Sequence, residues 1–259
     1  MQRVLIIAGS DPSGGAGIQA DIKTVTCLGG YAMTAITALT VQNTLGVSDV
    51  LAVPPAFMAA QAMACLDDIG ADAIKTGMLG DADMMEAVAG VLDASSAFKV
   101  VDPVMVAKGG HPLLAEKAIG ALKSLMLPRA DLLTPNAPEA AALVGFAIET
   151  EDDVRRAGEA LLAAGAKNVL IKGGHLTGPE VVDLLFTPDM VCRFAAERIE
   201  TLHTHGTGCT LASACAVLAR PDRALSETVG MARDYVMGAI VSAPGLGHGH
   251  GPLRHNWLL

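Results

Sequence analysis

Short apolar runs alternate with longer alanine-rich stretches from one end of the chain to the other, with glycines or acids at the junctions. The first run, VLIIA at residues 4–8, is continuous rather than alternating, so it reads as a strand covered on both faces. A helical pattern over 18–28 stops at Gly29-Gly30. Further strands are expected at 35–41, 73–76, 99–102, 131–134 and 168–172, and helices at 54–69, 81–92, 112–127, 138–144 and 152–164. Residues 181–187 and 191–195, joined by the turn Pro188-Asp189, read as an antiparallel hairpin. Helices over 210–218 and 223–242 precede a tail, GLGHGHGPLRHNW. This alternation points to a three-layer α/β/α sandwich around a mostly parallel sheet. No repeat or linker divides the 259 residues, so one domain over 1–259 is expected.

Composition narrows the function. A chain that is 51% hydrophobic but 3% aromatic builds its core from aliphatic side chains and Met. The net charge of −9, with no Lys/Arg run, argues against a nucleic-acid surface. No stretch approaches the ~18 apolar residues of a membrane span. The five cysteines form no C-x-x-C pair and no zinc-like spacing, which suits reduced thiols in a cytoplasm.

In such folds, sites lie at the carboxyl ends of strands, so the loops there carry the search. GSDPSGGAGIQAD, residues 9–21, fails as a Walker A, because Gly15 and Ala16 stand where Lys and Ser/Thr belong. As a dinucleotide fingerprint it lacks the acid about 20 residues on, since the next acid past 35–42 is Asp49. A substrate-binding turn, with Asp11 and Asp21 as acceptors, is the preferred reading; a plain tight turn is its rival. Gln42 and Asn43 place an amide, donor and acceptor at once, at a strand end; this suits a heterocycle, or merely ties down a loop. In IKTGMLG, Lys75 reads as a surface residue in preference to a phosphate contact, and Met78 as a pad for a flat ring or as core.

Asp102 and Glu139, at neighbouring strand ends, could hold Mg²⁺ through waters. Alone, each also reads as a local acceptor: Asp102 before a proline, Glu139 in the first turn of a helix. Lys172-Gly173-Gly174 offers a cation and exposed amides to a polyphosphate, while His175 reads as a loop tether. Gly206-Thr207-Gly208 opens a helix, so converging amides and the helix N-terminus form an anion hole. Cys209 follows directly. The same field favours a thiolate near neutral pH, either as nucleophile or as base, against the bland reading of a small buried Cys.

Taken in order, AGSDPSGGAGIQAD, ALTVQNT, IKTGMLG, VDPVMVAKGG, TPNAPEA, IKGGH, HGTGCTLASA and GHGHGP resemble the ribokinase-like superfamily. Within it they are most similar to the hydroxymethylpyrimidine/phosphomethylpyrimidine kinases of thiamine biosynthesis. The resemblance implies MgATP-dependent phosphorylation of 4-amino-5-hydroxymethyl-2-methylpyrimidine to its monophosphate and then its diphosphate, usually by a homodimer. It implies a pyrimidine site at Gly9, Ala16, Gln42, Met78 and Val104, with Met105 as an alternative to Val104. Cys209 would stand where most of the superfamily carries an Asp base. Lys172 and the loop from Gly206 through Thr207 and Gly208 would face the phosphates, Asn136 would serve the nucleotide side, and Asp102 and Glu139 would lie near Mg²⁺. Pro12 in place of a common serine, and a tail with Arg254 and Trp257, are departures. Pyridoxal/pyridoxine kinase is the runner-up activity. A cysteine hydrolase with His203 or His205 as base would leave the Asn136-x-x-Glu139 motif and the 172–174 loop unexplained, and a non-catalytic nucleotide or pyrimidine-binding regulator would bind without turnover.

Overall fold

The computed structural model describes residues 1–106, 113 and 118–259. Nine strands form one sheet in the order β3-β2-β1-β4-β5-β6-β7-β8-β9. The strands are β1 (Arg3–Ser10), β2 (Tyr31–Asn43), β3 (Gly46–Ala52), β4 (Ala73–Thr76), β5 (Phe98–Val101), β6 (Leu132–Leu133), β7 (Val169–Ile171), β8 (Glu180–Phe186) and β9 (Val191–Glu197). The run from β2 to β7 is parallel, and both borders are antiparallel: β3 on β2, and the β8–β9 hairpin on β7.

Alternation along the central strands sends side chains to two separate cores. Leu5, Ile7, Ile74, Val101 and Leu133 pack under α2 (Pro55–Asp68), α3 (Ala82–Asp93), α5 (Ala137–Val144) and α6 (Glu151–Ala163). Val4, Ile6, Val100, Leu132 and Leu170 pack under α1 (Gly17–Cys27), α7 (Thr207–Leu218) and α8 (Leu225–Val241). Two apolar layers on one sheet are why these strands read as continuous apolar runs. The architecture is the expected ribokinase-like three-layer sandwich.

Most expected elements appear within a few residues of their forecast bounds, and residues 73–76 match β4 throughout. Strand β3 was not foreseen: GVSDVLA lies at the sheet border, mostly exposed, and carries no two-residue hydrophobic alternation. Of the helix expected at 112–127, residues 112 and 114–117 lie outside the described residues. The described end runs from α4 (Ile119–Ala121) through a π turn (Leu122–Met126) and a 3₁₀ turn (Leu127–Arg129).

The tail folds back over α7 and α8. Trp257 Nε1 donates to the Tyr235 carbonyl (3.0 Å), and the Tyr235 hydroxyl donates to the His255 carbonyl (2.6 Å). His255 is buried, and its Nε2 meets the Thr210 hydroxyl at 3.1 Å. Burial, helped by Lys23, lowers its pKa from 6.5 to about 4. The unfolded chain therefore takes up this proton first as pH falls, so the neutral imidazole stabilises the fold fully above 6.5 and progressively less down to about 4. We expect unfolding free energy to drop by about 3 kcal/mol across that window from this residue alone. Denaturant titrations at about pH 7 and about pH 4.5 should show that drop shrinking in His255→Gln. An equal drop in the variant would remove His255 as the cause.

Candidate active site

The ends of β1, β2, β4, β5, β6 and β7 and the start of α7 surround a cavity of about 760 Å³. Gly9, Ala16, Gln42, Met78, Val104, Asp102, Asn136, Glu139, Lys172, Gly206, Thr207, Gly208 and Cys209 all line it, whereas Asp21 and Asn43 do not. Met105 lines it as well.

One end is built on the 9–21 loop. Asp11 lines the cavity, but its carboxylate is engaged locally: it is buried and accepts from the Ser13 and Ala16 amides (both 2.9 Å) and the Ser13 hydroxyl (2.7 Å). Its other partner is His205 Nε2 at 2.8 Å, which anchors the start of the α7 loop to the first loop. These bonds outweigh burial and hold the Asp11 carboxyl below its ordinary value. No local pattern points to this pair, whose members lie 194 residues apart. Gln42 accepts from the Thr40 hydroxyl (3.0 Å), which turns its amide nitrogen toward His205 and the cavity. Met78 lies against Gly9, where any side chain would approach its sulfur to 3.2 Å.

The other end gathers charge. Lys172 Nζ stands 2.9 Å from Asp102 Oδ1 and 3.9 Å from Glu139 Oε2. Asp102 also accepts from Thr134 (3.0 Å). Asn136 and Glu139 form a capping box on α5: Asn136 Oδ1 accepts from the Glu139 amide (2.9 Å), and Glu139 Oε2 from the Asn136 amide (2.8 Å). The motif thus has a local duty, fixing the carboxylate to the helix start. Burial pushes Glu139 up to about 7 against the pull of Lys172. Burial opposes the charge on Lys172 too, but Asp102 and Glu139 raise its pKa overall. Gly173 lies so close to the Val182 carbonyl of β8 that no side chain fits, and its amide donates to Asp183 (2.8 Å).

Between these ends sits the opening of α7. Gly206 has φ +85°, and a side chain there would collide with the Gly15 carbonyl, so this position demands glycine. The turn brings Thr207, Gly208 and Cys209 to the cavity wall beside Lys172, with the Thr207 amide donating to the Thr204 carbonyl (3.4 Å). The Gly17 amide, at the start of α1, donates to the Cys209 sulfur. Two helix N-termini therefore meet at the thiol.

Three expectations need correction. Cys209 does not rest as a thiolate: burial pushes its thiol up to about 11, because desolvation outweighs the nearby amides and cations. Lys75 is not on the surface: it is fully buried, with Nζ 2.9 and 2.8 Å from the two Asp21 oxygens. Asp21 is thereby a partner of Lys75 and not a substrate acceptor. Among the described residues, no cluster of three or more His, Cys, Asp or Glu side chains forms a protein cage for a metal. Asp102 and Glu139 facing a phosphate-sized cavity do fit a hydrated Mg²⁺ shared with phosphates.

A mostly apolar cavity with an amide at one end, and a cation, two carboxylates and helix amides at the other, is built for a heterocycle facing a polyphosphate. The comparisons agree. The phosphomethylpyrimidine kinase family profile matches residues 11–254. The chain is 49% identical over 97% of its length to the thiamine biosynthesis bifunctional protein ThiED of Geobacter sulfurreducens, and spans about half (52%) of that protein. It is 46% identical to the hydroxymethylpyrimidine/phosphomethylpyrimidine kinase of Streptomyces coelicolor, over 99% of this chain and 95% of that one. The pyridoxal kinase of Staphylococcus aureus in complex with AMP-PCP and pyridoxal superposes with a TM-score of 0.90 at 33% identity, covering 99% of this chain and 94% of that one. The chain belongs to the phosphomethylpyrimidine kinase family.

Proposed function

We infer that the chain transfers the γ-phosphoryl group of ATP to 4-amino-5-hydroxymethyl-2-methylpyrimidine and then to the resulting monophosphate, supplying the diphosphate for thiamine biosynthesis. The observation that carries this reading is the single cavity joining Gln42 to Lys172 and the α7 amides. In the first transfer the hydroxymethyl oxygen forms a bond to the γ-phosphorus while the bond to the β–γ bridging oxygen breaks and ADP leaves. The hydroxyl proton passes to the Cys209 sulfur in the minor fraction of the enzyme that carries it as a thiolate, regenerating the thiol. Gly9, Ala16, Met78 and Val104 enclose the ring, and Gln42 pairs with its nitrogen and amine.

Lys172 and the amides from Gly206 through Thr207 and Gly208 take up the charge that spreads over the phosphoryl oxygens, the main task in a loose transition state. Asn136 sets the nucleotide side through its cap on α5. Asp102 and Glu139 would hold a hydrated Mg²⁺, which supplies charge neutralisation on the phosphates. A thiol held near 11 is a scarce base at neutral pH. Because the acceptor proton leaves late in a loose transition state, the demand on that base is modest.

The chain works in this reading as a cytoplasmic homodimer. Five free cysteines suit a reducing compartment, and Leu39, Val41 and Leu51 lie exposed on the β2–β3 border. No helix among the described residues is long and apolar enough to cross a membrane.

Pyridoxal kinase activity is the second reading, favoured by the close superposition on the Staphylococcus aureus enzyme. ATP consumption with the aminopyrimidine and, separately, with pyridoxine, with products resolved, decides between them. Aminopyrimidine diphosphate is the expected product. Turnover of pyridoxine alone would move the chain to vitamin B6 phosphorylation with the same machinery.

A further inference from the structure

Lys75 is a full charge with no solvent contact, and a lone ammonium in that position would give up its proton. It stays charged because Asp21, on α1, grips it with both oxygens, and the Ser213 hydroxyl donates to Asp21 at 2.7 Å. Ser213 stands four residues after Cys209 on α7, one helical turn along the same face. Gly77 closes the other side, with the position of a side chain there 3.0 Å from Lys75 Nζ. The ammonium is thus pinned between β4, α1 and α7, under the first turn of α7.

An ion pair buried this deeply is a poor stabilising device, since well-packed apolar residues of similar volume commonly do as well or better. Its field reaches Cys209, which lines the same cavity one helical turn before the Ser213 that holds Asp21. The charged groups facing the thiol are Lys75 on β4, Asp21 on α1, Asp102 after β5 and Lys172 after β7. The two carboxylates oppose ionisation. Lys75 is the strongest electrostatic influence favouring it.

We propose that Lys75 is a positioning residue whose clamped ammonium governs the ionisation of Cys209, and with it the pH at which the first phosphoryl transfer runs. The catalytic meaning rests on Cys209 being the base, whereas the effect on the thiol does not. The first readout therefore needs no substrate: alkylation of Cys209 by iodoacetamide across pH, resolved from the other four cysteines by mass spectrometry. In Lys75→Met the Cys209 midpoint should rise by about 1 unit or more, with alkylation below the midpoint slowed about tenfold.

Because this variant strands Asp21, Asp21→Asn/Lys75→Met serves as the neutral, foldable counterpart and should move the midpoint the same way. An unchanged midpoint in either folded variant overturns the proposal. The second readout is the pH profile of the first transfer, which should shift upward with the thiol. A shifted thiol beside an unshifted kinetic profile would refute Cys209 as the base and leave its coupling to Lys75 standing. A merely structural Lys75 would lower thermal stability and move neither profile.

Discussion

Replacing Lys172 by Met is expected to lower kcat for both phosphoryl transfers by about 10²–10³-fold, the cost of losing one preorganised group at the developing charge. The side chain is mostly buried between Asp102 and Glu139, at the mouth of the α7 loop, and the other ammonium on the cavity wall, Lys75, is held by both Asp21 oxygens. The change has a second effect. Lys172 is the principal charge holding the Glu139 pKa down, so its removal drives that carboxyl further above about 7 and leaves it protonated at neutral pH. Stability should fall as well, because removing one partner of a buried pair costs about 3–5 kcal/mol. Assays well below the melting transition, paired with thermal unfolding, separate the two effects. A folded variant with kcat within a fewfold of the parent would exclude Lys172 from the chemistry.

Cys209→Ala should split the two transfers. The first acceptor is a hydroxyl whose proton must go somewhere, and general-base contributions run from about 10² to 10⁴. The second acceptor is a phosphate, already deprotonated, so its transfer should lose less than about tenfold. Single-turnover assays started from the aminopyrimidine and from its monophosphate measure each step alone. Equal losses would place Cys209 in positioning and not in proton transfer. Removal of a small side chain at the start of α7 leaves the Gly206–Gly208 amides in place, so the charge-stabilising part of the site survives.

The layered fold was legible because the central strands are largely apolar on both faces, and a run such as VLIIA can hardly be placed elsewhere than inside a sheet. Residues 46–52 were not legible, because a border strand faces solvent and loses the alternation that marks a half-buried one. The site loops were legible through glycine and amide placement. What they contact was not. Lys75 read as a surface lysine since a single cation in a short strand gives no hint of Asp21, 54 residues earlier. Cys209 read as a thiolate because the sequence shows the helix that would favour ionisation, while the desolvation that opposes it exists only once the chain has folded. The Asp11–His205 bond, which ties the first loop to α7, is likewise a product of tertiary structure.

Helix α7 supplies the amides of the site, and it also covers the centre of one sheet face, packing on Val4, Ile6, Val100 and Leu132. Its residues come after β1 to β9 in the chain, so during synthesis the sheet must wait for its cover. Until residue 207 and those beyond leave the ribosome, that apolar face has only α1 to shield it, a state prone to association. The cavity is then finished by the same event that hides the face. Burial of the last core and appearance of the binding site are one step, and a chain halted before α7 would be both inactive and a client for chaperones.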